Sequence, residues 1–403
     1  MVLVKAFDFE KNSIVDIVDE IIMDAINKKA SDIHFDPTDK DLIVRIRIDG
    51  ELQDYTIIPK MLMKNVVTRI KIISGMNITE ARLPQDGAIK NAINNVDLDL
   101  RVSSLPTIDG EKIVIRILDY SMSLEGLENL GFSKNNLDKV LKMIQKPNGL
   151  ILVTGATGTG KSTTVYALLQ KLNTKERNII TVEDPVEMQI KNINQVQVLS
   201  DIGLTFSNTL RSILRQDPDI IMVGEIRDDE TARIAIRASI TGHLVLSTVH
   251  TNNSLTTIER LLDMQVERYL LGSAITGIIS QKLVKKLCFK CRSTRPTTSY
   301  EKKLIKKHLG IDVSEIYAPG GCSCCNNGFS GRVAIHEVLN INEEIKDAIT
   351  TNMKRKELKK LVYNSQEITT SLEDGLRKVV EGLTTMEEVL KTIDTANIDD
   401  LNI

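Results

Sequence analysis

The sequence predicts an α/β protein of two to four domains, and three observations carry that expectation. Past residue 150, short apolar runs rich in β-branched residues alternate with helix-compatible stretches, the arrangement that builds a parallel sheet with crossover helices. The octet Gly155-Ala156-Thr157-Gly158-Thr159-Gly160-Lys161-Ser162 sits between the first run and the stretch that follows it. Ahead of both, residues 1–119 carry helix and strand patterns of their own, and 403 residues exceed what one ordinary core accommodates.

Taken in order, Ile14, Ile17, Val18, Ile21, Ile22, Ala25 and Ile26 recur at helical spacing over 14–29. Leu42 to Ile48 reads as a strand, and Asp49-Gly50 as the hairpin turn that ends it. A helix around 61–74 and strands near 97–104 and 111–118 complete a mixed α/β unit, here bounded at 1–119. Tyr120–Gly131 has weak periodicity and is assigned as a linker. The apolar runs 150–154, 178–182, 219–223 and 243–248 then define a core placed at 132–285. A cysteine-bearing region is placed at 286–335. A mostly helical subdomain at 336–403 is marked by Leu358, Leu361, Val362, Leu376, Val379 and Val380.

Composition narrows the class. A hydrophobic fraction of 42% and a charged fraction of 26% are those of a soluble globular chain. Aromatics make up 3% and Trp is absent, so aliphatic side chains must fill the cores. A net charge of −2 argues against a surface built mainly for nucleic acid. No apolar run approaches the roughly 18 residues that span a bilayer. Met1 to Lys5 lead into acids and an amphipathic pattern rather than a signal-peptide core. A cytoplasmic protein is expected, with peripheral membrane association only through partners or its surface.

The octet fits G-x-x-x-x-G-K-[ST], the loop that wraps the phosphates of ATP. Its glycines let backbone N–H groups turn onto phosphate oxygens with no Cβ in the way, and a helix opening near Lys161 adds its positive end. Lys161 would reach the β- and γ-phosphates and the Ser162 hydroxyl would ligate Mg²⁺. The nucleotide-binding set is Gly155, Ala156, Thr157, Gly158, Thr159, Gly160, Lys161, Ser162 and Thr163. A chance match arises in roughly one chain of this length per hundred. The strand before the octet and the helix after it lower that figure further.

Hydrolysis also needs a positioned water and charge neutralisation. Ile220-Ile221-Met222-Val223-Gly224-Glu225 is a hydrophobic strand ending in an acid, and Ile180-Thr181-Val182-Glu183-Asp184 is another. Strand ends in such sheets converge on the ligand crevice, so Glu225 and Glu183 are alternative candidates for the water-positioning base and for the metal shell. The same logic brings in His243 and His250, which bracket the fourth apolar run, although a lone histidine is more often structural.

All five cysteines lie between 288 and 325. Cys288-Phe-Lys-Cys291 and Cys322-Ser-Cys-Cys325 form two C-x-x-C pairs, each able to present two thiolates to one tetrahedral Zn²⁺. Four thiolates leave no open position, so such a zinc would be structural. Cys324 competes with Cys325 for the fourth place, and the x-x spacing favours Cys325. The flanking Lys282, Lys285, Lys286, Lys290 and Arg292 read as a solvated face, or as a surface for anionic lipid or an acidic partner.

In order along the chain, these motifs resemble one family, the secretion ATPases of type II secretion and type IV pilus assembly. Thr181–Glu187 looks like its Asp box, Leu214–Asp228 its Walker B signature and Thr241–Asn252 its His box. Ala30–His34, Arg45–Gly50, Arg82–Gly87, Leu100–Ser103 and Val114–Leu118 resemble the domain preceding its motor. The resemblance implies a PAS-like N-terminal domain followed by a RecA-like motor and a tetracysteine module. It also implies a homohexameric ring in which the first domain rotates against the second. By motif position it makes Arg101, Arg116, Arg211 and Arg215 the arginines that sense or stabilise phosphates.

The same resemblance implies ATP, Mg²⁺ and Zn²⁺ as cofactors and an inner-membrane platform protein as partner. The place of action would be the cytoplasmic face of the inner membrane, with no direct nucleic-acid contact. Relative to longer members, the chain is expected to be a short form without their extra N-terminal docking domain, and Ser162 replaces a common Thr. A competence-type DNA-uptake motor, a zinc-ribbon nucleic-acid translocase and a nucleotide-binding scaffold are the competing readings.

Overall fold

The computed structural model describes residues 5–9, 11–89, 100–117, 126–365 and 367–393. The chain divides into two compact units, Met1–Asp119 and Tyr120–Ile403.

The first unit opens on α1 (Ile14–Asn27), which begins where the Ser13 hydroxyl accepts the Asp16 N–H at 3.2 Å. It buries Ile17, Val18, Ile21, Ile22 and Ala25. Six antiparallel strands follow: β1 (Asp32–Pro37), β2 (Asp41–Ile48), β3 (Glu51–Pro59), β4 (Gln85–Ile89), β5 (Leu100–Thr107) and β6 (Gly110–Ile117). Their order is β3-β2-β1-β6-β5-β4, with α2 (Lys60–Ile73) between β3 and β4 in sequence. Alternation puts Ile33, Phe35, Leu42, Val44, Ile46, Ile113 and Ile115 in the core. Asp49 and Gly50 have φ of 51° and 91°, the left-handed pair that a two-residue hairpin needs. Residues 97–99 of the strand expected near 97–104, and Leu118 at the end of the next, lie outside the described residues.

The second unit holds α3 (Lys134–Ile144), then β7 (Gly149–Thr154), α4 (Lys161–Leu172), β8 (Ile179–Glu183) and β9 (Asn194–Gln197). Next come α5 (Phe206–Ile213), β10 (Ile220–Val223), α6 (Asp229–Ile240), β11 (Leu244–Val249), α7 (Ser254–Asp263) and α8 (Arg268–Ala274). After β12 (Ile275–Leu287) come β13 (Ser293–Pro296), α9 (Ser299–Leu309), β14 (Glu315–Ala318) and β15 (Phe329–Asn340). The chain then runs through α10 (Glu343–Thr350), α11 (Arg355–Asn364), β16 (Ile368–Thr369), α12 (Ser371–Val380) and α13 (Met386–Thr392).

Eight strands form one sheet in the order β16-β15-β12-β7-β11-β10-β8-β9. From β12 to β9 every pairing is parallel. Each residue of β7, β8, β10 and β11 is buried, as expected for a sheet covered on both faces.

Three boundaries read from the sequence differ in the structure. Strands β12 and β15 pair antiparallel from Gly277↔Asn340 to Leu287↔Phe329, so the limits drawn at 285/286 and 335/336 fall inside strands. The cysteine region, with β13, α9 and β14, is therefore carried on the extension of β12 and β15 past the C-terminal end of β7. Of the linker assigned to Tyr120–Gly131, residues 120–125 lie outside the described residues, while Leu127 and Leu130 pack into the core of the second unit.

Candidate nucleotide site and metal centre

The octet leaves the C-terminal end of β7 and enters α4 at Lys161. Gly158 and Gly160 take φ of 79° and 86°, which only glycine adopts without strain. A Cβ on Gly155 would come within 2.5 Å of the Gln281 carbonyl. The first intrahelical bond of α4 runs from the Thr164 N–H to the Gly160 carbonyl at 3.0 Å. The N–H groups of Lys161, Ser162 and Thr163 thus lack an intrahelical acceptor and suit phosphate oxygens. The Lys161 ammonium folds back onto the carbonyls of Gly155 (3.0 Å) and Ala156 (3.1 Å). Burial pushes its pKa down, and the Glu225 carboxylate opposes that shift.

Gln281, on the adjacent strand β12, braces the loop. Its amide donates to the Thr159 carbonyl at 2.6 Å and its oxygen accepts from the Thr164 hydroxyl at 2.8 Å. Thr251 supplies a second brace, its carbonyl accepting from the Thr154 hydroxyl at 2.7 Å. Sequence reasoning missed Gln281, because a single glutamine in a strand has no spacing that announces it.

Glu225 follows β10 at the same edge of the sheet. Its carboxylate meets the Arg227 guanidinium and lies 3.3 Å from His250 Nε2, while Arg227 also approaches Asp184 at 3.6 Å. Its side chain keeps 17% exposure. Glu183 is different. It is 3% exposed and accepts from Thr181 (2.5 Å), Tyr166 (2.5 Å) and Gln195 (3.0 Å). Both of its oxygens are already committed to side-chain donors.

His243 does not join this cluster. Leu244 pairs with Gly149 and Val249 with Thr154, so His243 stands at the N-terminal edge of the sheet. A rise of about 3.3 Å per residue puts it roughly 20 Å from the loop within one subunit. Its Nδ1 lies 2.9 Å from the Ala238 carbonyl, a local helix-end contact. The expectation placed both ends of the fourth run at the crevice, and only the His250 end reaches it.

The four arginines are also dispersed. Arg211 pairs with Glu230 at 2.6 Å, and Arg215 donates to the Arg211 carbonyl at 2.9 Å and to Ser212 at 3.2 Å. Arg101 and Arg116 are register partners on β5 and β6 of the first unit. Arg116 and Arg47 flank Asp32 at 3.2 and 3.7 Å.

The sulfurs of Cys288, Cys291, Cys322 and Cys325 all lie within 4.8 Å of one another. The separations Cys288–Cys322, Cys291–Cys325 and Cys322–Cys325 are 3.8, 3.6 and 3.5 Å. Four thiolates about 2.3 Å from one Zn²⁺ would stand about 3.8 Å apart, so the donor set fits that ion. Cys324 is exposed and meets Lys290 at 3.6 Å instead.

Residues 8–391 match the Type II/IV secretion system protein family. The chain belongs to that family. It is 44% identical over 379 residues to the putative type II secretion system protein E of Escherichia coli, spanning 94% of this chain and 76% of that one. It is 42% identical over 390 residues to the type IV pilus assembly ATPase PilB of Thermus thermophilus, spanning 96% of this chain and 44% of PilB. The crystal structure of the pilus retraction motor PilT with bound ADP matches with a TM-score of 0.65 and 28% identity, over 95% of this chain and 99% of that one. The ATPase DotB of Legionella pneumophila shares the fold, with a TM-score of 0.67 at 23% identity, over 93% of this chain and 94% of that one. The second unit is thus a RecA-like P-loop motor of the secretion ATPase family, preceded by a PAS-like α/β unit. Among the described residues no helix is long and apolar enough to cross a membrane.

Proposed function

We propose that this secretion-family ATPase hydrolyses ATP as a cytoplasmic homohexamer, at the inner face of the membrane. There it drives assembly of a type IV pilus or a type II secretion pseudopilus through an inner-membrane platform protein. The observation that carries the reading is the common edge of the parallel sheet, where the octet on β7 meets Glu225 and His250 at the ends of β10 and β11. Assembly or secretion is favoured over retraction by similarity, 42–44% to the secretion and pilus-assembly proteins against 28% to the retraction motor.

In this reading residues 155–163 hold the nucleotide, with Lys161 neutralising the β- and γ-phosphates. Ser162 would hold Mg²⁺, which screens the phosphate charge when bound. Glu225 orients the attacking water, and its partially exposed carboxylate suits that work. Glu183 serves as a buried strut that ties β8 to α4 through Tyr166. Arg101 and Arg116 of the first unit, with Arg211 and Arg215 of the second, act across subunits. The tetracysteine site takes structural zinc. Lys161→Ala tests the assignment: ATP turnover of the purified chain should fall by roughly a hundredfold or more, with circular dichroism and melting unchanged. Turnover near wild type would remove the octet from the chemistry.

A further inference from the structure

Residues 250–253 belong to neither helix nor strand, yet His250 serves Glu225 only if that backbone is fixed. Each following residue is tied down. The Thr251 carbonyl accepts from Thr154, and the Asn252 carbonyl accepts from the Ser280 hydroxyl at 3.3 Å. Asn253 and Thr256 form the capping box that starts α7. That box leaves the Ser254 N–H unsatisfied, because a first-turn amide has no intrahelical acceptor. It donates instead to Glu337 Oε1 at 2.7 Å.

Glu337 is unlike the other ties, for it is an acid only 4% exposed, placed on β15. It pairs directly with Ser280 of β12, so the two side chains leave the same face of the sheet. From there they reach Asn252 and Ser254, two residues apart where the loop enters α7. A buried carboxylate is costly without compensation: burial raises the Glu337 pKa, and the Ser254 N–H at the positive end of α7, Lys282 and the Ser371 N–H each offset part of that rise.

We propose that Glu337 is a positioning residue: its carboxylate holds the start of α7 and thereby holds His250 against Glu225. This rests on the reading of Glu225 as the water-orienting group. A side chain that merely filled the core would be replaceable by any apolar residue of its size. A positioning carboxylate demands an acceptor at the right reach.

The test uses the full chain with Glu337→Leu, Glu337→Gln and Glu337→Asp, each alone and combined with His250→Ala. Hydrogen exchange of segment 250–257 should accelerate in Glu337→Leu and stay slow in Glu337→Gln, whose amide oxygen still accepts. In Glu337→Leu, kcat should fall about tenfold or more, as small misplacements near a reacting group do, while KM for ATP stays within about twofold. Glu337→Gln should recover most of that loss. Glu337→Asp, one methylene short of Ser254, should behave like Leu and replaces it where Leu does not fold. In the His250→Ala background, Glu337→Leu should add almost nothing. Equal losses in both backgrounds, equal losses for Gln and Leu, or a raised KM with intact kcat would overturn the proposal. If the wild type and Lys161→Ala turn over ATP equally, the hydrolase reading fails. Exchange at 250–257 still decides whether Glu337 holds α7.

Discussion

A carboxylate at a strand tip can orient a water or brace the fold, and its hydrogen bonds separate the two roles. Glu225 keeps partial exposure beside His250 and Arg227, whereas Glu183 is enclosed by Thr181, Tyr166 and Gln195. Glu225→Gln should therefore lower kcat roughly a hundredfold or more while ATP affinity persists. Glu183→Gln should instead lower stability by about 1–3 kcal/mol, since it leaves buried donors poorly matched. Denaturant melts beside nucleotide titrations check both, and a reversed pattern would exchange the two roles. The sequence marks both acids as strand ends but says nothing of their surroundings, which come from Tyr166 and Gln195, 17 and 12 residues away. The octet was legible because its glycine spacing is itself the geometry. Gln281 was not, since its bond to Thr159 closes over 122 residues. His243 misled because flanking a strand does not say which end faces the ligand, and only the parallel register of β11 with β7 does.

At the scale of elements, the long pair β12 and β15 joins the nucleotide edge to the cysteine loops. Cysteine spacing singles out the four thiols whose sulfurs the fold brings within 4.8 Å of one another, but not where the ladder of backbone bonds between β12 and β15 ends. Cys288→Ser should lose the zinc and loosen residues 288–328, whereas Cys324→Ser should keep one zinc per chain. Metal analysis of the two variants decides, and zinc loss in Cys324→Ser would revise the ligand set. Within this region Arg295 forks onto Glu301 at 2.9 and 2.7 Å, and the Thr298 N–H donates to it at 2.7 Å. The Arg295 bond holds the Glu301 carboxyl down at about 2, against an ordinary 4.5. A depressed acid contributes stability that is complete above its unfolded value and lost as pH falls through its folded one. The region should thus weaken between pH 4.5 and about 2. Arg295→Met should flatten that dependence in pH-resolved melts, and an unchanged acid limb would show that the pair contributes nothing.

For the whole molecule, the layered second unit was readable because buried parallel strands write themselves as continuous apolar runs, and four of them appear between 150 and 248. How copies of the chain act together is not readable from the arginines themselves: Arg211 meets Glu230, Arg215 meets the Arg211 carbonyl, and Arg101 and Arg116 belong to the other unit. In the proposed reading, arginines that stay charged and can fork onto oxygens suit phosphates supplied by another copy, so activity is expected to depend on the assembly. The most direct test is the ATP turnover of purified wild-type chain, measured in separated monomer and oligomer fractions. Turnover confined to a hexamer is the expected result. Equal turnover in the monomer would contradict the intersubunit arginines, and none in either fraction would contradict hydrolysis by this chain alone.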